Sequence, residues 1–428
     1  MSTTTVEAKD MTQDMVVIPR VWKFAVMYSV LALAAALLTF RIAGGAITRF
    51  QLSTARDLVE IPIIEVPARP VGLLVSAVLI AMAVLSLWST ATRRKFGAWF
   101  PVAFGLLFIF AFLIYAGAGV SGIIPVITLL NGALALSVPL IFGAMCGLIG
   151  ERSGVINIAI EGQLLMGAFS AALVATMTGN PFVGLLAAAV GGGLVGMLLV
   201  FFSVKYWVDQ IIVGVVLNVL VVGLTGFFYS TVLAENPSFF NNPDRLPVWR
   251  IPFLSEIPII GPVLFNQSIL VYSMYVIVTL LTIFVFRSRW GLRMRAVGEH
   301  PKAADTVGIN VNRTRVINVI GAGMIAGLGG AYFTLGSGLA FGKDMSAGMG
   351  FIALAAMILG NWNPLGALGA ALLFGFTRNI GNMLQGIQAP IPAEFINMLP
   401  YVVTIFAVAG FVGRVRAPAN LNTPYVKS

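Results

Sequence analysis

The sequence predicts an all-α fold, a polytopic transmembrane helical bundle of about 10 to 12 membrane segments with short or broken helices among them. Of the 428 residues, 59% are hydrophobic and only 10% are charged. Apolar runs of about twenty residues, enough for a helix to cross a bilayer, recur along the chain and leave no segment for a soluble core. A similar turn occurs in each half of the chain, which is typical of an inverted internal repeat.

The N-terminal part predicts a short tail followed by three spans. Residues 1–20 are polar and carry acids. No small-residue cleavage site follows the first apolar run, so these residues are expected to form a cytoplasmic tail and not a removable signal peptide. Residues 21–123 are expected to form the N-terminal transmembrane helices with an outer loop. The apolar runs of this part are Val21–Phe40, Val71–Trp88 and Trp99–Ala118.

Residues 124–415 are expected to form the transmembrane core, followed by a cytoplasmic tail at residues 416–428. Two of its apolar segments, Met349–Gly360 and Pro364–Arg378, are too short to cross about 30 Å at about 1.5 Å per residue, so they are expected to tilt or to pack as half-helices. The other apolar segments of the core are Ile124–Ile149, Leu164–Met177, Pro181–Val204, Ile211–Tyr229, Ser268–Phe286, Val316–Leu335 and Phe395–Val412.

A long polar loop, residues 287–315, separates two of the core spans. It holds seven basic residues and two acids, and this bias places it in the cytoplasm together with both chain termini. Its middle, from Gly298 to Val311, mixes small and helix-compatible residues, which predicts a short surface helix suited to docking. The alternative is that the loop only determines topology.

The repeated turn occurs in Ala175–Pro181 and again in Ala356–Pro364. With both termini in the cytoplasm, the first turn faces outside and the second faces inside, as in the inverted repeats of transporters. The alternative is that Gly-Asn-Pro is simply a common turn between helices. Two pairs of glycines four residues apart also predict close helix packing in lipid: Gly192 with Gly196, and Gly323 with Gly327.

A polar stretch from Gly150 to Ala168 interrupts the apolar pattern of the core. Asn157 and Glu161 are four residues apart, a spacing that on a helix places both side chains on one face. A carboxylate at bilayer depth is costly unless it faces protein or water, so these two residues are predicted to line or brace a substrate path. The alternative is a structural role, with Glu161 bound to Arg152 or to backbone donors at a broken helix.

Three more residues complete the predicted substrate path. Gln163 can join Asn157 and Glu161 in hydrogen bonds to a sugar or to the edge of a base, while Phe351 and Trp362 can stack on a ring. Ionisable groups are few in the apolar segments, which favours a polar but uncharged solute over a permanent ion.

Several functions are excluded by what the sequence lacks. The only Gly-Lys pair, Gly342-Lys343, is followed by Asp344 and has no upstream glycine at the required position, so no ATP-binding signature is present. No nucleophile and base constellation occurs, so no catalytic residue and no enzyme activity is expected. One cysteine and one histidine provide no metal site, and no cofactor is implied. The net charge of +10 fits anionic lipid and topology, so no nucleic-acid partner is expected.

Three motifs carry a close resemblance to a known family: Gly154–Gly162, Ala296–Asn310, and Gly350–Ala356 with the Gly-Asn-Trp-Asn-Pro-Leu-Gly that follows. They resemble the permeases of ATP-binding-cassette (ABC) importers of the branched-chain amino acid, ribose and nucleoside group, and within it the nucleoside and simple-sugar branch. The resemblance covers roughly residues 130 to 415.

The resemblance implies that residues 124–415 form a permease core and that the loop at 287–315 is the coupling loop seated on a separate ATPase. The coupling helix would be the 296–310 segment, in which Lys302 stands where many importers carry Glu. The residues assigned to ATPase coupling are Gly298, Glu299, Ala303, Ala304 and Gly308.

The expected function is therefore nucleoside import across the inner membrane of a prokaryote. The implied partners are an ABC ATPase subunit, a second homologous permease in a heterodimer, membrane lipids and an extracytoplasmic solute-binding protein. The last is expected to contact the outer loop from Val232 to Gln267, which exposes Trp249. The alternatives are a permease for a simple sugar or a branched-chain amino acid, an ion-coupled secondary transporter that uses Glu161, and a channel subunit without coupled energy.

Overall fold

The computed structural model of this protein describes residues 22–386 with gaps at 54–58, 95, 98 and 121, then positions 394 and 398 and residues 417–426. Within these residues the chain forms fifteen α-helices and five short strands. Nine helices of this described part are long and apolar enough to cross a membrane, so the predicted polytopic bundle is confirmed. The chain divides into two compact units, residues 1–47 with 67–119 and residues 48–66 with 120–428.

The described part of the first unit is a bundle of three helices, α1 (Lys23–Phe40), α2 (Ala68–Ala91) and α3 (Trp99–Gly117). The three predicted N-terminal spans are therefore confirmed. Their facing sides form an apolar cluster. Between α1 and α2 the hydroxyls of Thr39 and Ser76 lie 2.9 Å apart, and this hydrogen bond satisfies two polar groups inside the apolar bundle.

The second unit contains the remaining helices. A small sheet has the strand order β2-β1-β3, with β1 (Ile47–Gln51) parallel to β3 (Ile124–Pro125) and β2 at Ile64–Pro67. The elements that follow are, in chain order, α4 (Val126–Arg152), α5 (Ile160–Thr178), α6 (Pro181–Val200), α7 (Gln210–Phe228), α8 (Pro237–Phe240), β4 (Val248–Arg250), α9 (Ile260–Leu264), β5 (Asn266–Ser268), α10 (Ile269–Arg287), α11 (Arg289–Glu299), α12 (Pro301–Thr306), α13 (Val311–Ala331), α14 (Met349–Leu359) and α15 (Pro364–Gly386).

Most predicted spans of the core coincide with these helices to within a few residues. α14 is 11 residues long and is a half-helix, as predicted. α15 is 23 residues long, so the prediction that its segment is too short to span is wrong. Arg378 does not end this helix, because Ile380 and Leu384 continue its buried face beyond the charge. The predicted span Phe395–Val412 lies outside the described residues.

The second unit contains a repeat of three helices, with α4, α5 and α6 in one copy and α13, α14 and α15 in the other. The contact between α4 and α15 is equivalent to the contact between α13 and α6. The contact between α13 and α5 is likewise equivalent to the contact between α4 and α14. In addition, α4 contacts α13, and α5 contacts α14. Exchanging the two copies therefore leaves these pairings unchanged, which supports the repeat predicted from the sequence.

The two copies run in opposite directions. Asn180 and Asn363 each cap the helix that follows, with a side-chain oxygen that accepts a backbone hydrogen bond. The turn at Asn363 lies beside the end of α4, where Arg152 donates to the carbonyl of Trp362. Since α5 leads away from the end of α4 toward the turn at Asn180, the two turns lie on opposite faces of the unit. This is the arrangement of an inverted repeat.

Glycines allow α6 and α13 to approach closely. A Cβ at Gly192 would overlap the carbonyl of Gly323, and one at Gly196 would lie 2.9 Å from the carbonyl of Val319. A Cβ at Gly327 would overlap backbone atoms of α6. Such close approach increases van der Waals contact, which drives helix association where lipid surrounds the protein. The predicted packing role of these glycines is confirmed.

Candidate functional site

Glu161, in the first turn of α5, binds the N-terminus of α14. Its Oε1 accepts hydrogen bonds from the Ser346 hydroxyl at 2.6 Å and from the Gly348 N–H at 2.8 Å. Its Oε2 accepts one from the Gly350 N–H at 2.6 Å. The side chain is only 5% exposed. It lies at the positive ends of two helix dipoles, that of α5 and that of α14, and both favour a negative charge there.

Two glycines shape the segment that receives Glu161. Gly348 has a φ of +79°, a left-handed conformation that disfavours any other residue. Gly350 lies so close to α5 that a Cβ there would overlap the backbone of Glu161. The carboxylate is thus held by backbone donors at a broken helix, which is the structural alternative considered for it. Arg152 is not one of its partners, because Arg152 donates to the carbonyl of Trp362.

Asn157 lies in the loop before α5, so the prediction that it shares a helix face with Glu161 is wrong. The reason is that α5 begins only at Ile160, after an irregular segment that follows α4. The Nδ2 of Asn157 instead donates to Gln163 Oε1 at 3.0 Å and to Cys146 Sγ at 3.1 Å. All three side chains are completely buried, and they form one polar cluster inside the bundle.

This cluster retains hydrogen-bonding capacity. Asn157 Oδ1 and Gln163 Nε2 have no hydrogen-bond partner in the described chain. A Cβ at Gly323 would lie 3.3 Å from Gln163 Nε2, and one at Gly196 would lie 3.5 Å from it, so the Gln163 amide group lies beside the α6–α13 contact. An unpaired acceptor and an unpaired amino group inside a bundle are costly.

Phe351 and Trp362 lie at opposite ends of α14 and have different surroundings. Phe351 is 50% exposed, whereas Trp362 is 4% exposed. The indole N–H of Trp362 donates to Glu151 Oε2 at 2.6 Å, and its carbonyl accepts from Arg152 Nη2 at 2.8 Å. Trp362 therefore attaches the α14–α15 turn to the end of α4. Of the five predicted path residues, only Asn157 and Gln163 are hydrogen-bonded to each other.

The predicted coupling segment forms two short helices and not one. α11 ends at Glu299, and α12 begins at Pro301, whose ring lacks the backbone N–H needed to continue a helix but fits the first position of a new one. Gly308 follows α12 with a φ of +83°. Ala303, Val307 and Gly308 are all exposed. These residues form the outward face of the loop.

Of the other predicted coupling residues, Gly298 and Ala304 face inward, whereas Glu299 is exposed. Ala304 is 3% exposed and packs with Val297 and Val311. Gly298 is buried, and a Cβ there would overlap the Arg152 carbonyl at the end of α4. This close contact packs the loop tightly against the end of α4.

Residues 417–426, which we call the C-terminal strap, lie against α11 and α12. Asn420 N–H donates to the Gly298 carbonyl at 3.0 Å, and Ala419 N–H donates to Glu299 Oε2 at 3.1 Å. Sequence reasoning missed this relationship, because a short polar terminal segment has no periodicity that would reveal its partner.

Tyr425 completes the apolar contact between the strap and the coupling helices. It packs with Val297, Ala304 and Val311 and is itself 8% exposed. Burial and the hydrogen bond to the nearby Asp305 carboxylate raise the pKa of the Tyr425 phenol, so the phenol stays neutral in its contact.

The strap also reaches two other parts of the core. Arg315 of α13 is 1% exposed, and its Nη1 donates to the Thr423 carbonyl at 3.0 Å. Asn422 Nδ2 donates to Asp209 Oδ2 at 3.3 Å. Asp209 caps α7, and the hydrogen bonds from Ile212 N–H and from Asn422 lower the pKa of its carboxyl group. The strap thus connects the coupling helices, α13 and the start of α7.

The chain is similar to proteins of known class. Residues 129–408 match the family described as branched-chain amino acid transport system / permease component. The guanosine ABC transporter permease protein NupQ of Bacillus subtilis (strain 168) is 37% identical over 308 residues, which are 69% of this chain and 95% of that protein. The nucleoside ABC transporter permease protein NupC of Lactococcus lactis subsp. cremoris (strain MG1363) is 38% identical over 305 residues, with the same coverage.

A third relative has a different printed solute. The putative glucose ABC transporter permease protein TsgC13 of Haloferax volcanii is 33% identical over 247 residues, which are 58% of this chain and 74% of that protein. No solved structure matches the chain.

Proposed function

Because the chain belongs to the family of branched-chain amino acid transport system permease components, we propose that it carries nucleosides through the membrane as the permease of an ATP-driven importer. It is a multi-pass membrane protein and a transport subunit, not an enzyme. The observation that carries the choice of nucleosides is the 37% and 38% identity to a guanosine permease and a nucleoside permease along 95% of their lengths.

The chemistry of the buried polar groups supports an uncharged solute. The cluster of Asn157, Gln163 and Cys146 offers one acceptor and one donor and no charge. A sugar hydroxyl or a base edge can pair with such groups, whereas a branched-chain amino acid would bring two charges that need partners. Glucose is the second candidate, since one relative is named for it.

Glu161 supports an ATP-driven mechanism over an ion-driven one. Its two oxygens accept three hydrogen bonds from the α14 side, so binding a proton or sodium ion would first have to break them. We assign Glu161 to bracing the path at the junction of α5 and α14, with Asn157 and Gln163 lining it. Phe351 is exposed enough to stack on a ring of the solute. Trp362 supports the path indirectly, because it is hydrogen-bonded to the end of α4.

Coupling to the ATPase is assigned to the exposed surface formed by Ala303 of α12 and by Val307 and Gly308, which follow that helix. This face is exposed, while Ala304, Gly298 and Glu299 hold the same segment against α4 and the strap. A docking surface whose reverse side is tightly packed can transmit a displacement without deforming. The ATPase therefore lies on the side of the core where α4 and α14 end.

The partners and the orientation follow from these assignments. The side with α11 and α12 is cytoplasmic, with both termini on it, and the opposite side meets an extracytoplasmic binding protein. A second, homologous permease pairs with this chain. Bacillus subtilis has two guanosine permeases, NupQ and NupP, which are 37% and 27% identical to this chain, and their presence in one organism supports such a pair. Buried Cys146 is the only cysteine, so single cysteines at Val307 and Trp249 can report the sidedness by labelling.

The test of the proposed function is transport by the complete importer. The chain is reconstituted in liposomes with its second permease, ATPase and binding protein, and uptake of labelled guanosine, glucose and leucine is measured with and without ATP. ATP-dependent uptake of guanosine, competed by other nucleosides but not by glucose or leucine, is expected. ATP-dependent uptake of glucose or leucine alone would overturn the choice of solute, and uptake driven by an ion gradient without ATP would overturn the mechanism.

A further inference from the structure

A cavity opens at the end of the core opposite to α11 and α12. Its volume is about 500 Å³, within the range of about 300–1,000 Å³ common for small-molecule sites. It lies between the start of α4, the end of α15 and β5. Its lining residues are Pro125, Thr128, Leu129, Asn131, Gly132, Ala135, Asn266, Gln267, Asn379 and Met383.

Four of these side chains are carboxamides, and none of the lining residues carries a charge. Each carboxamide presents a hydrogen-bond acceptor and two donor hydrogens. Carboxamides pair in this two-point way with the edges of nucleobases. The four residues are Asn131, Asn266, Gln267 and Asn379.

The amides are held in place by the protein. Asn379 Nδ2 donates to the Leu129 carbonyl at 2.7 Å, and it can lie across α4 because Gly132 has no side chain to block it. Gln267 Nε2 donates to Asn131 Oδ1 at 3.0 Å. These bonds use neither the amino group of Asn131 nor the side-chain carbonyl oxygens of Gln267 and Asn379. The lining therefore combines fixed geometry with further hydrogen-bonding capacity.

We propose that this cavity, the amide cavity, is an entry site that binds the base of an uncharged nucleoside before the nucleoside moves into the bundle. This assignment rests on the solute proposed above and adds a place and a mode of recognition to it. The lining residues offer hydrogen bonds and carry no charge, so the edge of the base is the part of the nucleoside that they are suited to recognise.

Occupancy can be measured on the assembled importer with Thr128→Cys. Thr128 lines the cavity and is exposed, and the native Cys146 is buried, so a maleimide reports on the introduced thiol. Guanosine is expected to slow labelling, whereas glucose, which has no base edge, is not. Leu292→Cys, at a position of α11 that is 62% exposed, is the control whose labelling guanosine should leave unchanged. Labelling of Thr128→Cys that is unaffected by guanosine would overturn the entry site.

Transport supplies a second measurement. Thr128→Trp fills the cavity without removing an amide. It is expected to lower guanosine uptake by about tenfold or more, which corresponds to the loss of one good contact to the base. Thr128→Val is the control and should take up guanosine at nearly the wild-type rate. If wild-type importer takes up guanosine and Thr128→Trp does so equally well, the entry site is wrong and the nucleoside function stands. If the wild type takes up no nucleoside, both assignments fail.

Discussion

The Gly350 N–H donates a 2.6 Å hydrogen bond to Oε2 of Glu161, and this bond joins the N-termini of two helices that begin 189 residues apart. These are the span α5 and the half-helix α14, one from each copy of the inverted repeat. A single carboxylate thus neutralises two helix N-termini in the interior of the bundle. Any motion that separates the two copies at this point must break charge-assisted hydrogen bonds, so we expect Glu161 to control both the stability of the core and its movement.

Replacing Glu161 tests this relationship. Glu161→Gln places an amino group where α14 presents N–H donors, and Glu161→Ala removes the acceptor altogether. Each is expected to lower the stability of the folded core by about 2 kcal/mol, since hydrogen bonds to charged groups contribute about 1.5–3 kcal/mol. Thermal unfolding of the purified protein and ATP-dependent uptake are the two measurements. Exposed Glu235→Gln is the control.

The two measurements also separate the roles considered for Glu161. Lower stability together with lower uptake identifies a brace. Normal stability with lost uptake would identify a residue that contacts solute. If Glu161→Ala is as stable and as active as the wild type, the junction has no function.

The outward face of α12 can be tested at Ala303. Ala303→Trp adds bulk to an exposed position, whereas the neighbouring Ala304 is buried. We expect Ala303→Trp to weaken ATPase binding by about tenfold or more, because docking surfaces need close complementarity at their centre. The permease itself should still fold. Pull-down of the ATPase measures binding, and Ala303→Ser is the control. If the Ala303→Trp permease binds the ATPase and transports solute normally, the loop determines only the membrane topology.

The C-terminal strap is expected to be needed for coupling. Tyr425→Ala removes the ring that packs on Val297 and Ala304, so α12 loses support on its inner side. Substrate-stimulated ATP hydrolysis should fall about threefold or more, the effect of losing a modest packing contact, while the thermal unfolding of the spans changes little. Val426→Ala, at a residue 56% exposed, serves as the comparison. Unchanged stimulation in Tyr425→Ala would show that the strap is dispensable.

The hairpin of β4 and β5 is expected to contact the binding protein. Its antiparallel pairing places Trp249 opposite Gln267, and Trp249 is 53% exposed and Phe253 81% exposed. Exposed aromatic residues often dominate the energy of an interface. Replacing Trp249 and Phe253 with alanine should therefore raise the half-saturating concentration of binding protein about tenfold or more. Trp88→Ala, at an equally exposed position of α2, is the control. A titration identical to wild type would contradict this contact.

The spans and their repeat could be predicted because their causes are local. A helix in lipid must be apolar along its own length, and the glycines that allow close packing lie on the same helix face, so α4, α6 and the Gly192–Gly196 pair are visible in the sequence. An Asn-Pro pair likewise marks the start of α6 and of α15. The end of α15 was missed because a charge such as Arg378 interrupts an apolar run without ending the helix.

The partners of polar groups were decided by the tertiary structure alone. The sequence determined that Glu161 is an acid at bilayer depth, and only folding brought the N–H groups of Gly348 and Gly350 to it. The same holds for Asn157, which lies before α5, and for Tyr425, which reaches Ala304 from the end of the chain. A hydrogen bond or packing contact between distant residues depends on how helices cross in space, and the local sequence pattern contains no record of that crossing.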